Sequence, residues 1–228
     1  MAFRKKAEFI FKHKPDILII QECEHPDKLK FNNDTLVPSD ILWYGTNQNK
    51  GLAVFSFNHY KLKLLDTHNV DIKMFLPIAV SGGSIEFTLF AIWAYNPQDP
   101  SYKYVGQVWK GIYQYENILK NENVIIAGDF NSNVIWDKLK RKISHSIVVE
   151  KLTSLHIFST YHAYLNLAQG LEEHPTYFMY RHRNKPYHID YCFASEHLIN
   201  KLENVEIGTH EQWTQCSDHS PLIVSFKI

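Results

Sequence analysis

Five places in this 228-residue chain set acidic, amide, phenolic or imidazole side chains at the end of an apolar run or inside one. They are Glu22, Tyr95 with Asn96, Asp129 with Asn131, Asp190, and Asp218 with His219. Asp129 and Asn131 are two apart, just after the β-branched run at 124–127 and Gly128, so an extended backbone turns both to one side. In α/β proteins ligands bind at the carboxyl ends of buried strands. The donors are hard oxygens plus one imidazole. Such a set suits Mg²⁺ or Mn²⁺, which bind through one or two carboxylates together with substrate phosphate. A histidine near an acid can orient and activate a nucleophile. The sequence has no HExxH, no Cys/His spacing suited to zinc, no glycine-rich phosphate loop and no GxSxG elbow. The combination describes a hydrolytic phosphoester centre. Each cluster also has an ordinary explanation: Asp and Asn favour turns, and an acid inside an apolar strand simply needs a partner.

The elements that must position these groups are legible from periodicity. Phe3, Ala7, Ile10 and Phe11 recur at helical spacing, with Arg4, Lys5, Glu8 and Lys12 on the other face, and Pro15 stops the helix. That basic face reads either as a phosphate contact or as a solvated helix surface. Residues 17–20 form an apolar strand running into Gln21 and Glu22. Short strands are expected at 42–44, 52–57, 61–65 and 74–80, a hairpin turn at 81–84, and a strand at 85–94 that delivers Tyr95 and Asn96 before Pro97. A helix with Asp99 as N-cap and Pro100 in its first turn follows, then the strand at 124–127 and a helix at 146–155. A strand at 157–160, a helix at 161–168, and strands at 188–194, 202–207 and 222–226 complete the chain. Arg181, His182, Arg183 and Lys185 interleave with Tyr180 and Tyr187, a composition that can hold phosphates and stack bases, or serve as a solvated hairpin.

Composition bounds the answer. The chain is 45% hydrophobic and 14% aromatic, enough for a substantial core, and no linker, repeat or low-complexity tract divides it; a single domain over 1–228 is expected. Formal net charge is zero, so the chain as a whole offers no electrostatic case for avid nonspecific nucleic-acid binding. Three widely spaced cysteines, Cys23, Cys192 and Cys216, do not form a disulfide framework and point to a reducing, cytoplasmic setting. No apolar run is long enough to span a membrane, and Met1 leads into a basic amphipathic segment instead of a signal peptide.

Read together, Ile20-Gln21-Glu22, Gly128-Asp129-Phe130-Asn131, His188-Ile189-Asp190-Tyr191 and Ser217-Asp218-His219-Ser220-Pro221 resemble the motifs of the endonuclease/exonuclease/phosphatase superfamily. They fall in the family's order and cover nearly the whole chain. The resemblance implies an α/β fold, a four-layer α/β/β/α sandwich of two mixed β-sheets flanked by helices. It implies a Mg²⁺-dependent phosphodiester hydrolase, with Mn²⁺ as a substitute, acting as a monomer on a phosphoester and most naturally on nucleic acid. A phosphatase acting on a small or lipid phosphomonoester is the alternative.

By the same resemblance, Glu22 is the metal-binding glutamate and Asp218 a second acid near the metal. Asp129 positions or deprotonates the attacking water, and Asn131 binds the scissile phosphate. His219 contacts phosphate or acts as base, oriented by Asp190. Tyr95 stands at the phosphate. Asn96, Arg181, Arg183 and Tyr187 are the candidate substrate-binding residues.

One departure stands out. Family members usually begin with a strand ending in Trp-Asn, whose asparagine joins the glutamate at the metal. Here Met1 already opens into the first helix. The expectation is either a start inside a longer chain or a protein that lacks this strand. In the second case the edges at 17–20 and 222–226 lie exposed, metal affinity and activity are low, and a catalytically impaired binding protein becomes an alternative.

Overall fold

Two-residue alternation along the strands assigns every apolar side chain to a layer. The computed structural model describes residues 3–30, 36–95, 103–138 and 142–228. Its strands are β1 (Ile17–Cys23), β2 (Asp40–Asn47), β3 (Lys50–Ser56), β4 (Lys61–Leu64), β5 (Phe75–Ser81), β6 (Phe87–Trp93), β7 (Val124–Asp129), β8 (Ile157–Ser159), β9 (Tyr177–Phe178), β10 (Pro186–Tyr187), β11 (Asp190–Ser195), β12 (Leu202–Ile207) and β13 (Leu222–Phe226). The helices are α1 (Ala7–Phe11), α2 (Val105–Gln114), α3 (Glu116–Leu119), α4 (His145–Ser154), α5 (Thr160–Leu165), α6 (Glu196–Ile199) and α7 (His210–Trp213).

One sheet has six strands in the order β4-β5-β6-β7-β11-β8 and is mixed, since only β6 and β7 run parallel. One face of it, carrying Phe75, Phe90, Ile92, Val124 and Ile126, packs on Val105, Val108 and Ile112 of α2 and on Val148 and Leu152 of α4. The opposite face, with Leu76, Ile78, Leu89 and Ala91, packs on Ile17, Ile19, Leu52 and Val54 of β1 and β3. The alternate residues on those strands, Leu18 and Ile20 of β1 and Ala53 and Phe55 of β3, turn away and meet Phe3, Ile10 and Phe11 beneath α1. Helix, sheet, sheet, helix is therefore the order of layers, the sandwich expected from the sequence. Burying each of these aliphatic or aromatic side chains contributes about 1.5–3 kcal/mol before chain entropy is set against it.

The second β layer differs in detail from two mixed sheets. All its described pairings are antiparallel, and it comes in two pieces, β1-β3-β2 and β12-β13. Between them lies a cavity of about 430 Å³, walled by β1 and β13 and floored by Ile125, Ala127 and Cys192 of the six-stranded sheet. Among the described residues, β1 pairs with β3 alone and β13 with β12 alone. The expected helix start at Asp99 and Pro100 falls outside the described residues; the helix is seen from Val105, and Tyr115 interrupts it before α3. Among the described residues, no helix is long and apolar enough to cross a membrane.

Candidate active site

Asp129 ends β7 because the backbone there takes a shape that suits glycine. Gly128 has φ +140°, and a Cβ at that position would meet the Ile92 carbonyl oxygen at 2.0 Å. The turn continues through Asn131, whose φ of +47° is tolerable for an asparagine. Asp129 accepts twice from Asn131: from its backbone N–H at 2.8 Å and from its side-chain Nδ2 at 2.6 Å. The same Nδ2 also donates to the Ala94 carbonyl at 2.9 Å. The amide expected on the scissile phosphate therefore spends both hydrogens inside the protein, orienting Asp129.

Asp190 begins β11 directly opposite Asp129 in the ladder, so their side chains share a face. Thr176 fixes this strand start: its buried Oγ1 accepts from the backbone N–H groups of Ile189 and Asp190, both at 3.0 Å. His219 arrives from the loop before β13 and places Nδ1 2.9 Å from Asp190 Oδ2. That loop is tied down by Phe178, which donates to the Asp218 carbonyl at 2.8 Å, and by Ser217 Oγ, which accepts from the His219 N–H at 3.1 Å. Tyr177 packs its ring 4.7 Å from the imidazole.

The electrostatics follow from this crowding. Burial opposes charging of His219, but the Asp190 charge and hydrogen bond, with Asp129 and Asp218 behind them, outweigh it and raise the imidazole pKa to about 9. Burial and then the Asp190 charge push Asp129 well above the ordinary carboxylate range, against the pull of His219.

The remaining expected residues occupy distinct places. Glu22 sits at the bulge in β1 with φ +58°, half exposed, and its Oε1 is held by Lys50 Nζ at 2.8 Å. Its charge reaches Asp129, so it borders the same centre. Asp218 and Glu22 both act on the partly buried Lys6, whose pKa burial lowers. Among the described residues, no group of three or more His, Cys, Asp or Glu side chains could by itself hold a metal ion. The donor set still suits a hard divalent cation, because Mg²⁺ is commonly held by one or two carboxylates completed by water and phosphate.

Tyr95 follows Ala94 just beyond β6 with its ring 6.0 Å from that of Trp93, the residue that stands opposite Asp129 in the ladder. Asn96 lies outside the described residues. Arg181 and Arg183 sit at the exposed tip beyond β9 and β10, apart from the Asp190–His219 pair, and Arg183 is paired with Glu211 at 3.2 Å. Tyr187 stacks on Tyr177 at 6.4 Å and so belongs to the wall of the site.

Sequence reasoning missed Thr176, Tyr177 and Lys50. The first two flag themselves only once the 177–187 hairpin is seen to return to Asp190, and Lys50 only once β1 and β3 pair.

The Endonuclease/Exonuclease/phosphatase family model matches residues 7–219. The chain belongs to this family. No curated protein matches it by sequence. Among solved structures, it is similar to an AP endonuclease from Archaeoglobus fulgidus, at 17% identity and TM-score 0.70, covering 100% of this chain and 96% of that one. It is also similar to the endonuclease domain of TRAS1, a telomere-specific non-LTR retrotransposon, at 15% identity, TM-score 0.66 and coverage of 98% and 91%. The 3′ phosphatase NExo from Neisseria, bound to a product DNA hairpin, aligns at 16% identity, TM-score 0.64 and coverage of 100% and 96%. At these identities the likeness speaks for the fold, and the family member's chemistry rests on the residues just described.

Proposed function

We propose that this protein hydrolyses phosphodiesters, with nucleic acid as substrate, as a single domain acting as a monomer. The observation that carries the reading is the Asp190–His219 hydrogen bond at 2.9 Å, set opposite the buried Asp129. Three buried free cysteines favour a reducing, cytoplasmic setting.

Glu22 and Asp218 would hold Mg²⁺ or Mn²⁺, which when bound supplies charge stabilisation at the phosphate and leaving oxygen. The chain's own groups do the rest. His219, kept cationic by Asp190, presents Nε2–H to a non-bridging phosphoryl oxygen. Asp129, with its raised proton affinity, takes the proton of the attacking water as the new P–O bond forms; the ester P–O bond breaks and the leaving oxygen takes a proton from solvent, completing the alcohol. Asn131 keeps Asp129 aimed. Tyr95 and Tyr187 line the approach.

Hydrolysis of a bis-ester phosphate with and without EDTA tests the reading. Turnover that survives EDTA sinks the metal requirement. Full activity in His219→Ala sinks the mechanism, since losing a positioned acid–base or charge-stabilising group should cost about 10²-fold or more. The phosphomonoester alternative separates by salt: a nucleic-acid substrate binds more weakly as salt rises.

A further inference from the structure

Trp136 is a large side chain left 38% exposed beside the candidate centre, and its neighbour Ile135 is 57% exposed. Neither side chain belongs to the hydrophobic core among the described residues, so the core does not account for their exposed apolar surface. Yet the turn that carries them is fixed. Residues Val134–Trp136 form a single 3₁₀ turn capped by Asn133, whose Oδ1 accepts from the Ile135 N–H at 3.0 Å. Asn133 is buried, and its Nδ2 donates to the His188 carbonyl at 2.9 Å and to the Tyr191 hydroxyl at 3.1 Å. The Trp136 N–H closes the turn on the Asn133 carbonyl at 3.1 Å. The exposed ring is thus anchored to the segments that carry Asn131 and Asp190.

Its position is continuous with the chemistry. Trp136 lies 5.0 Å from Tyr187, Tyr187 lies 6.4 Å from Tyr177, and Tyr177 lies 4.7 Å from His219. A stair of rings leads from the imidazole out to the indole. Aromatic faces fixed along a phosphate path are what nucleobases stack on, because every base has a π-face.

We propose that Trp136, supported by Ile135, is a stacking platform for an unpaired nucleobase of the substrate strand. The proposal rests on the nuclease reading and narrows it. A base inside an intact duplex is already stacked, so the preferred substrate carries a single-stranded or extruded nucleotide next to the scissile phosphate.

The test is binding of two fluorescent probes of equal length and charge to the full chain in EDTA: oligo(dT), and the same sugar-phosphate backbone without bases. Trp136→Ala should weaken oligo(dT) binding about 5- to 100-fold, the range seen for lost base–aromatic contacts, and leave the base-free probe within about twofold. Trp136→Tyr should restore most of the loss, which separates stacking from misfolding. Equal loss on both probes, no loss on oligo(dT), or failure of both probes to bind the unsubstituted protein overturns the platform. Turnover of the unsubstituted protein with Mg²⁺ is read in parallel. Base-dependent binding without hydrolysis would overturn the nuclease reading and keep the platform; hydrolysis with base-independent binding would do the reverse.

Discussion

Asp129 and Asp190 stand directly opposite each other at the ends of β7 and β11, two carboxylates on one face of one ladder. Like charges so placed are tolerated because His219 is drawn onto Asp190 at 2.9 Å and shares its cation with both. Replacing Asp190 by Asn removes the largest of the influences that raise the imidazole. The His219 pKa should fall from about 9 toward its ordinary value near 6.5, visible in an NMR titration of the ring protons. Turnover at neutral pH should drop about 10²-fold with it. An unmoved titration would show that Asp190 does not set the histidine's charge.

Lys50 competes with any cation for Glu22, since its ammonium already lies 2.8 Å from Oε1. Both side chains are about half exposed, so the pair contributes at most about 1 kcal/mol. Lys50→Met should therefore tighten Mn²⁺ binding by up to about fivefold, and Glu22→Gln should weaken it, both measured by calorimetry. Identical affinities in all three proteins would remove Glu22 from the list of ligands.

Gly128 allows β7 to lie against β6 where Asp129 emerges. Its φ of +140° and the 2.0 Å approach of the Ile92 oxygen to any Cβ leave Gly128→Ala no relaxed position. A loss of more than about 2 kcal/mol in urea unfolding is expected. Activity should fall more than stability explains, because the displaced atom neighbours Asp129.

His145 links the back of the same loop to acid sensitivity. Its ring is buried, with Nδ1 2.9 Å from Ser132 Oγ and Nε2 3.3 Å from Gln169 Oε1, contacts that the neutral ring satisfies by donating from Nε2 to the amide oxygen and accepting from the hydroxyl at Nδ1. Burial pushes its pKa down to about 4. The folded state thus binds this proton more weakly than the unfolded chain, and the stability involved is fully present above about pH 6.5 and lost as pH falls through about 4. The loss is on the order of 3 kcal/mol. Urea midpoints between pH 7 and 4 should show it, and His145→Gln should flatten the profile. Burial also lowers His188, which deepens the same trend.

The sequence carried the layers well because alternation is a local signal: Ile17 and Ile19 against Leu18 and Ile20 already separate the two faces of β1. It carried Asp129 and His219 because each borders an apolar run, and Asp190 because it is an acid inside one, although the strand itself starts at Asp190. What it did not carry is who faces whom. The turn that spends the Asn131 amide on Asp129 and Ala94 depends on two backbone conformations with positive φ, which residue type permits but does not announce. The Lys50–Glu22 pair depends on register between β1 and β3, and the Arg183–Glu211 pair on a hairpin meeting α7. Trp136 drew no notice because the three-residue apolar run Val134-Ile135-Trp136, set between polar residues, is too short to show a helical or strand period.

The groove between β1 and β13 has a consequence for amide protection. Phe57 donates to the Asp16 carbonyl at 2.9 Å, which sets the alternation along β1: the N–H groups of Leu18 and Ile20 turn toward β3, and those of Ile17 and Ile19 turn into the groove. Gly208 donating to the Pro221 carbonyl at 3.0 Å does the same for β13, directing the Leu222 and Val224 amides inward from the opposite wall. In hydrogen exchange, deuterium should therefore enter these four amides early, while Leu18 and Ile20 beside them stay protected. A row of fast-exchanging amides would thus run through the middle of a β layer, where most proteins exchange last.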